Sequence, residues 1–255
     1  MKILRSLYLI INYKTLIVTS LAIATTWLCS YYNIIAEFPL TLVGIAIVFP
    51  VVFSIDSAYR ALWMLSDFKA HVLAIYLASR DWLEGNEDFE EEVKAKLLDV
   101  YSSIRDIFIT GQEENQIGIY QKISELSLLM KRFRILELPS GEISRISQYI
   151  SKITVDVENL NTILRYRTPI TLRAYSKVFI YTFPILYGPY FASVAENYSP
   201  NLEYLLPIIF SFILVSLDNI QSHLENPFDQ VGEDDIVFDV EEFTSIIEQI
   251  KKSSQ

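Results

Sequence analysis

A run of eighteen residues without a charged side chain constrains this chain more than any other feature. The run extends from Phe38 to Ile55, and a helix of about 20 apolar residues crosses the hydrocarbon core of a bilayer. No turn signal separates it from Asp56, and an apolar helical period continues to Trp82. The sequence therefore predicts a single helix that crosses a membrane and continues into water as far as about residue 83.

Three further charge-free runs predict additional membrane spans. They cover residues 15–36, 178–195 and 204–217, of which the last is short for a span. We interpret it as a span because an even number of spans returns the acidic C-terminal tail to the side on which the chain begins. The four predicted spans are residues 15–36, 38–55, 174–195 and 202–219.

The positions of Lys and Arg predict the orientation of these spans. The two outer connections, residues 30–38 and 193–203, contain no Lys or Arg, and all 21 basic residues fall on the other side. Basic residues close to span ends remain on the cytoplasmic side of a membrane. Both termini and the middle of the chain are therefore predicted to be cytoplasmic.

The residues between the second and third spans have the pattern of helices joined by short turns. The EGNED stretch at 84–88 and the turn at 138–141 interrupt the helical period, and no alternating strand pattern or internal repeat occurs. The predicted fold class is all-α. It consists of four spans, a helical cytoplasmic bundle over residues 84–173 and a cytoplasmic acidic tail over residues 220–255.

Residue types that carry most enzyme chemistry are scarce. The chain has one cysteine, two histidines in no metal-ligand spacing, and seven glycines that form no phosphate-binding motif. Its net charge of −10 argues against binding to nucleic acid. We therefore expect no enzyme activity, no cofactor and no nucleic-acid partner.

Ile45, Phe49 and Phe53 recur at intervals of four residues within the second span. On a helix this interval places them in one steep apolar row. Such a row commonly faces lipid or the core of a helix bundle. Pro50 removes one backbone hydrogen bond and predicts a kink within the span.

Three segments resemble the bestrophin family, which comprises pentameric chloride channels with many bacterial members. TLVGIAIVFPVVFSIDSAYRALWMLSDFKAHVLAIYLASRDW is similar to the pore-lining helix of that family, and SHLENPFDQVGEDDIVFDVEEF is similar to the segment after its last membrane helix. Between them, YRTPITLRAYSK resembles the entry to the third membrane helix. The chain departs from the family at Ser54, where bacterial members usually have Arg, and at Leu62, where they have Trp.

The resemblance implies a homopentameric ion channel of the cell inner membrane, surrounded by membrane lipids. It implies that the hydrophobic pore neck consists of Ile45, Phe49 and Phe53, and Ile143 is a candidate for the second, cytoplasmic constriction of the family. The implied permeant ions are chloride or other small monovalent anions. Two alternatives are cation conduction and a non-conducting membrane scaffold whose cytoplasmic bundle binds a partner.

An acidic segment follows the last predicted span. In animal bestrophins an equivalent loop binds calcium, and the acids here offer oxygen ligands of the kind that calcium prefers. The EF-hand spacing is absent, however, and residues 230–232 interrupt the acids. We therefore expect a solvated loop without a metal, and calcium is the alternative. The four acids are Asp229, Glu233, Asp234 and Asp235.

Overall fold

The computed structural model describes residues 11–83, 85–110, 116–165, 169–197, 202–224, 228 and 236–252. These residues form eight α-helices and contain no β-strand, so the predicted all-α fold class is confirmed for them. The helices are α1 (Tyr13–Tyr31), α2 (Thr41–Trp82), α3 (Glu87–Thr110), α4 (Gln116–Ile135), α5 (Ser140–Arg165), α6 (Ile170–Asn197), α7 (Leu202–Leu224) and α8 (Val240–Lys252).

Local sequence explains where several of these helices begin and end. The Asn12 side chain accepts a backbone hydrogen bond of 3.0 Å from the first turn of α1, and Thr15 completes a capping box. Asn33 and Glu137 adopt left-handed φ values of 56° and 59° just beyond α1 and α4. Residues in this conformation end helices because they turn the following N–H groups towards the last carbonyls. Gly85, with φ of 83°, lies in the turn between α2 and α3.

The chain divides into two compact units. The described residues up to Ala58 and those from Pro169 to Leu224 belong to the first unit. The second contains residues 59–165 together with Phe228 and residues 236–252. Helix α2 therefore contributes its first part to one unit and its second part to the other.

The first unit is a helical bundle in which α1, α6 and α7 pack against one another. Helix α6 approaches α1 closely at Gly188, where an added Cβ atom would lie 3.3 Å from Thr25. At the same contact the Thr25 hydroxyl donates a 2.8 Å hydrogen bond to the carbonyl oxygen of Pro184. Aromatic and aliphatic side chains of α2, α6 and α7 form the main core: Val43, Ala46, Phe183, Tyr187, Phe191 and Leu214.

Two helices are long and apolar enough to cross a bilayer, judged from length and composition of the described residues. They are Val43–Trp82, within α2, and Tyr204–Leu224, within α7. The other two predicted spans coincide largely with α1, of 19 residues, and α6, of 28 residues. The four-span topology and the cytoplasmic position of the remaining residues stay predictions.

In the second unit, α4 packs against both α3 and α5, and α8 packs against α3. Phe68 of α2 stacks on Tyr101 of α3 with ring centroids 5.8 Å apart. Further apolar side chains from α2, α3, α4 and α5 complete this core: Val72, Ile75, Val93, Leu97, Ile104, Leu126, Phe133, Ile146, Ile153 and Leu160.

Helix α8 is held on the second unit by apolar contacts near its start and by polar contacts near its end. Phe243 is 3% exposed, and its ring stacks on Tyr101 with centroids 4.8 Å apart. The Lys251 Nζ atom lies 2.7 Å from Oε1 of Glu91. Arg80 donates a 3.0 Å hydrogen bond to the carbonyl of Ile250, in the last turn of α8.

Candidate functional site

The first part of α2 has a buried side and an open side. Large apolar residues occupy the open side, with exposed fractions of 68% for Ile45, 55% for Val52 and 45% for Phe53. The described residues of the chain therefore leave an apolar helix face open, which is the kind of surface that marks contact with a partner or a membrane. The buried side carries Val43, Ala46, Pro50 and Ser54.

Two of the three predicted neck residues lie on this open face with described side chains, Ile45 and Phe53. They are eight residues apart, which corresponds to a rise of about 12 Å and a difference in direction of about 80°. Phe49 belongs to α2 by its backbone, but its side chain lies outside the described residues. The assignment of these residues to a pore neck stays a prediction.

Ser54 lies on the opposite side of α2 from the predicted neck. Its side chain is fully buried, and its hydroxyl donates a 3.1 Å hydrogen bond to the carbonyl oxygen of Pro50. Pro50 has no backbone N–H, so the helix lacks one hydrogen bond at this turn. Ser54, where the sequence resemblance implies Arg, therefore lies on the packing side of α2 rather than on its open face.

Asp56 is a further exposed residue of this part of α2. It lies eleven residues beyond Ile45, which corresponds to three helical turns and about 20°. Its side chain therefore points in nearly the same direction as that of Ile45. The sequence pattern marks Asp56 only as the first charge after the span, and its eleven-residue spacing from Ile45 is the signal that predicts a shared direction.

Ile143, the candidate for a second constriction, lies in α5 of the second unit. Its half-buried side chain packs against the core of that unit. It also forms part of the wall of an open cavity of about 410 Å³, together with Met130 and Arg134. The rest of the wall consists of polar residues of α5: Ser140, Ser144, Ser147, Gln148 and Ser151.

The four acids considered for calcium binding, Asp229, Glu233, Asp234 and Asp235, lie outside the described residues. Among the residues that the structure describes, no group of three or more His, Cys, Asp or Glu side chains is placed to hold a metal ion. Calcium binding therefore stays an alternative without a structural test.

His71, one of the two histidines, has a carboxylate partner in the second unit. Its Nδ1 atom lies 2.6 Å from Oδ2 of Asp156, whose side chain is 8% exposed. Burial raises the pKa of the Asp156 carboxyl above its ordinary value, and the hydrogen bond with His71 offsets part of this increase. The pair joins α2 to α5 and therefore has a structural role.

Comparison with known proteins gives matches among solved structures. No protein-family model matches the chain, and no curated protein sequence matches it. A variant of a bacterial bestrophin homologue from Klebsiella pneumoniae gives a TM-score of 0.70 at 13% identity, over 95% of this chain and 97% of that one. Another variant of a Klebsiella pneumoniae homologue gives 0.69 at 14% identity, over 97% and 96%. A structure described as a membrane protein gives 0.73 at 13% identity, over 96% and 100%.

Proposed function

Because the chain has a bestrophin-like fold, as its sequence predicts, we propose that it is a subunit of a bestrophin-type ion channel. In this proposal five copies surround a central axis, and the open face of α2 lines the pathway. Ile45, Phe49 and Phe53 of each copy form an apolar neck. The channel lies in the cell inner membrane, and both termini of each subunit are cytoplasmic.

The observation that carries this proposal is the open apolar face of α2. Exposed apolar side chains such as Ile45 and Phe53 are stable against lipid, against another subunit or around a narrow pathway. Their position on the helix that resembles the bestrophin pore helix favours the pathway. Narrow apolar constrictions control ion flow by losing water, so a neck of Ile and Phe is suited to gating.

Chloride or another small monovalent anion is the proposed permeant ion, in line with the family resemblance. The edges of aromatic rings carry partial positive charge, so Phe49 and Phe53 can favour an anion if their ring edges point to the axis. Cation conduction is the second candidate, and the net charge of −10 together with the exposed Asp56 favours it.

Ile143 is retained as the proposed second constriction. Its side chain borders an open cavity and also packs on the core of the second unit. Truncation of Ile143 therefore tests its role in ion flow and its role in stability separately. If Ile143 limits ion flow, Ile143→Ala raises flux through reconstituted channels. A fall in the unfolding temperature without any rise in flux assigns Ile143 to the core alone.

Ion flux through purified protein in liposomes tests the proposed function. We expect flux above that of empty liposomes, and the reversal potential in a salt gradient then identifies the permeant ion. Light scattering corrected for detergent is expected to give about five times the 29.5 kDa mass of the chain. Monodisperse protein that conducts no ion supports instead a non-conducting scaffold that binds a partner.

A further inference from the structure

We infer that Asp56 sets the charge preference of the ion pathway. In the assembled channel, five Asp56 carboxylates form an acidic ring beside the neck that lowers the permeability of chloride relative to that of cations. The inference rests on the proposed channel function. It adds a residue that influences ion selectivity and lies outside the apolar row of Ile45, Phe49 and Phe53.

Helix geometry ties the direction of Asp56 to that of the neck residues. At about 100° per residue, Asp56 points about 20° from Ile45, and Phe53 points about 80° from Ile45 in the same sense. The direction of Asp56 therefore lies between those of the two neck residues. On a regular helix, an axis that both Ile45 and Phe53 face is also faced by Asp56. The side chains of all three are exposed in the first unit.

The position of Asp56 along the helix places its charge close to the narrow part of the pathway. It lies three residues beyond Phe53 and is the first charged residue after the eighteen uncharged ones, which corresponds to a rise of about 4.5 Å from Phe53. Rings of Asp or Glu at a constriction are a common basis of cation preference in channels. The low-dielectric wall of a neck increases the effect because it concentrates the field of the ring.

Arg60 is a residue of opposite charge further along α2, in the part of that helix that belongs to the second unit. It is also exposed, and it lies four residues further from the neck, which corresponds to about 6 Å along the helix. Coulomb energy falls with distance and salt screens it further, so an ion in the neck interacts more strongly with Asp56 than with Arg60.

The test compares Asp56→Asn with Asp106→Asn in liposomes under a sodium chloride gradient. Both changes alter the net charge per subunit from −10 to −9, since each removes one of the 31 acidic residues while the 21 basic residues remain. Asp106 is exposed on α3, in the second unit, beside Arg105. We expect the ratio of chloride to sodium permeability to rise about tenfold in Asp56→Asn and to be unchanged in Asp106→Asn.

Chemical modification guards against a variant that assembles poorly. Asp56→Cys in a chain that carries Cys29→Ser is reconstituted first and then labelled with a thiol reagent of either charge. A negatively charged reagent is expected to restore the wild-type permeability ratio, and a positively charged one to increase chloride preference further. Asp56→Glu keeps the carboxylate and is expected to keep the wild-type ratio.

The outcomes separate this inference from the proposed function. If the wild-type channel conducts but Asp56→Asn has an unchanged permeability ratio, the inference is wrong and the channel function stands. Equal shifts in Asp56→Asn and Asp106→Asn assign the effect to overall charge and also overturn the inference. Wild-type protein without any flux overturns both the channel function and the role of Asp56.

Discussion

The Nδ1 atom of His71 lies 2.6 Å from Oδ2 of Asp156, and this contact joins α2 to α5 in the second unit. The two side chains are 19% and 8% exposed. The ring of Tyr149 lies beside His71, while Asp67 and Lys152 are close enough to influence the carboxyl of Asp156. A buried carboxyl of this kind makes the stability of the unit depend on pH.

The first prediction concerns Asp156→Asn and pH. Because burial raises the pKa of Asp156, the folded protein holds the carboxyl proton more tightly than the unfolded chain does. The protonated carboxyl stabilises the folded wild-type protein fully at a pH below the pKa of Asp156 in the unfolded chain, about 4. This stabilisation is lost as the pH rises through the higher pKa of the folded protein. Asn carries no such proton. We therefore expect the unfolding temperature of Asp156→Asn to rise relative to wild type as the pH increases from about 4.

Thermal unfolding in detergent, measured across this pH range, checks the prediction. Asp106→Asn serves as the control because Asp106 is exposed on α3. Its unfolding curve is expected to follow that of wild type at each pH. If the difference between Asp156→Asn and wild type is the same at every pH, the carboxyl does not titrate as the structure indicates.

Patterns along the sequence predicted the helices well, because each helix buries one face and its ends carry their own signals. The apolar period of α2 continues to Trp82, where the structure ends that helix, and Gly85 and Asn86 of the EGNED stretch directly precede α3. Contacts between distant residues were not predicted. The pairing of His71 with Asp156 joins residues 85 positions apart and depends on how α2 packs against α5.

The candidate site was predicted in part. The spacing of Ile45 and Phe53 predicted a shared helix face, and the structure shows that face to be open. The sequence alone did not show which side of α2 is buried, because apolar residues occur all around a membrane helix. Ser54 is an example, since only the packing of the first unit shows that its side chain is buried.

Gly188→Ala is predicted to destabilise the first unit. A Cβ atom at this position lies 3.3 Å from the backbone and Cβ of Thr25 and 3.4 Å from Sγ of Cys29. Helices α1 and α6 must separate slightly to admit it, at a cost of about 1–3 kcal/mol in unfolding free energy. Gly118→Ala is the matched control, since nothing lies within 4 Å of its added Cβ. Because Ala favours helix more than Gly, the control is expected to stabilise by about 0.5–1 kcal/mol. Equal changes in unfolding temperature for Gly188→Ala and Gly118→Ala contradict the close approach of α1 and α6.

Helix α8 is predicted to depend on its apolar contacts more than on its ion pairs. Phe243 is 3% exposed, so Phe243→Ala is expected to cost about 3–5 kcal/mol. Lys251 pairs with Glu91 at a partly exposed site, so Lys251→Met is expected to cost less than about 1 kcal/mol. Hydrogen exchange of α8 amides measures both effects. Faster exchange of the α8 amides in Lys251→Met than in Phe243→Ala contradicts this prediction.

The topology prediction is tested by cysteine labelling in intact cells. After replacement of Cys29, Asn33→Cys is expected to react with an impermeant maleimide because it lies in a predicted outer connection. Glu125→Cys, on the exposed side of α4, is expected to react only after the cells are opened, because that helix is predicted to be cytoplasmic. Labelling of position 125 but not of position 33 in intact cells contradicts the predicted orientation of the chain in the membrane.

The last prediction concerns truncation of the neck residues. If Ile45, Phe49 and Phe53 face the axis of a channel, each change to Ala widens a ring of five side chains. A wider ring holds water more readily, so the barrier falls and flux in liposomes rises. Ile45 and Phe53 are exposed within the chain, so their truncation leaves no cavity in the described core. The unfolding temperature is therefore expected to stay close to that of wild type.

Val43→Ala is the matched control from the opposite side of α2. Val43 is 5% exposed and packs in the core of the first unit, so its truncation is expected to cost about 1–3 kcal/mol and to leave flux unchanged. A row that faces lipid predicts unchanged flux and unchanged stability for the neck variants, since lipid fills the space of the lost side chains. A row that packs between subunits predicts lower stability without a rise in flux. Only increased flux with retained stability agrees with a neck, and Ile45→Ala is the sharpest variant because Ile45 is 68% exposed.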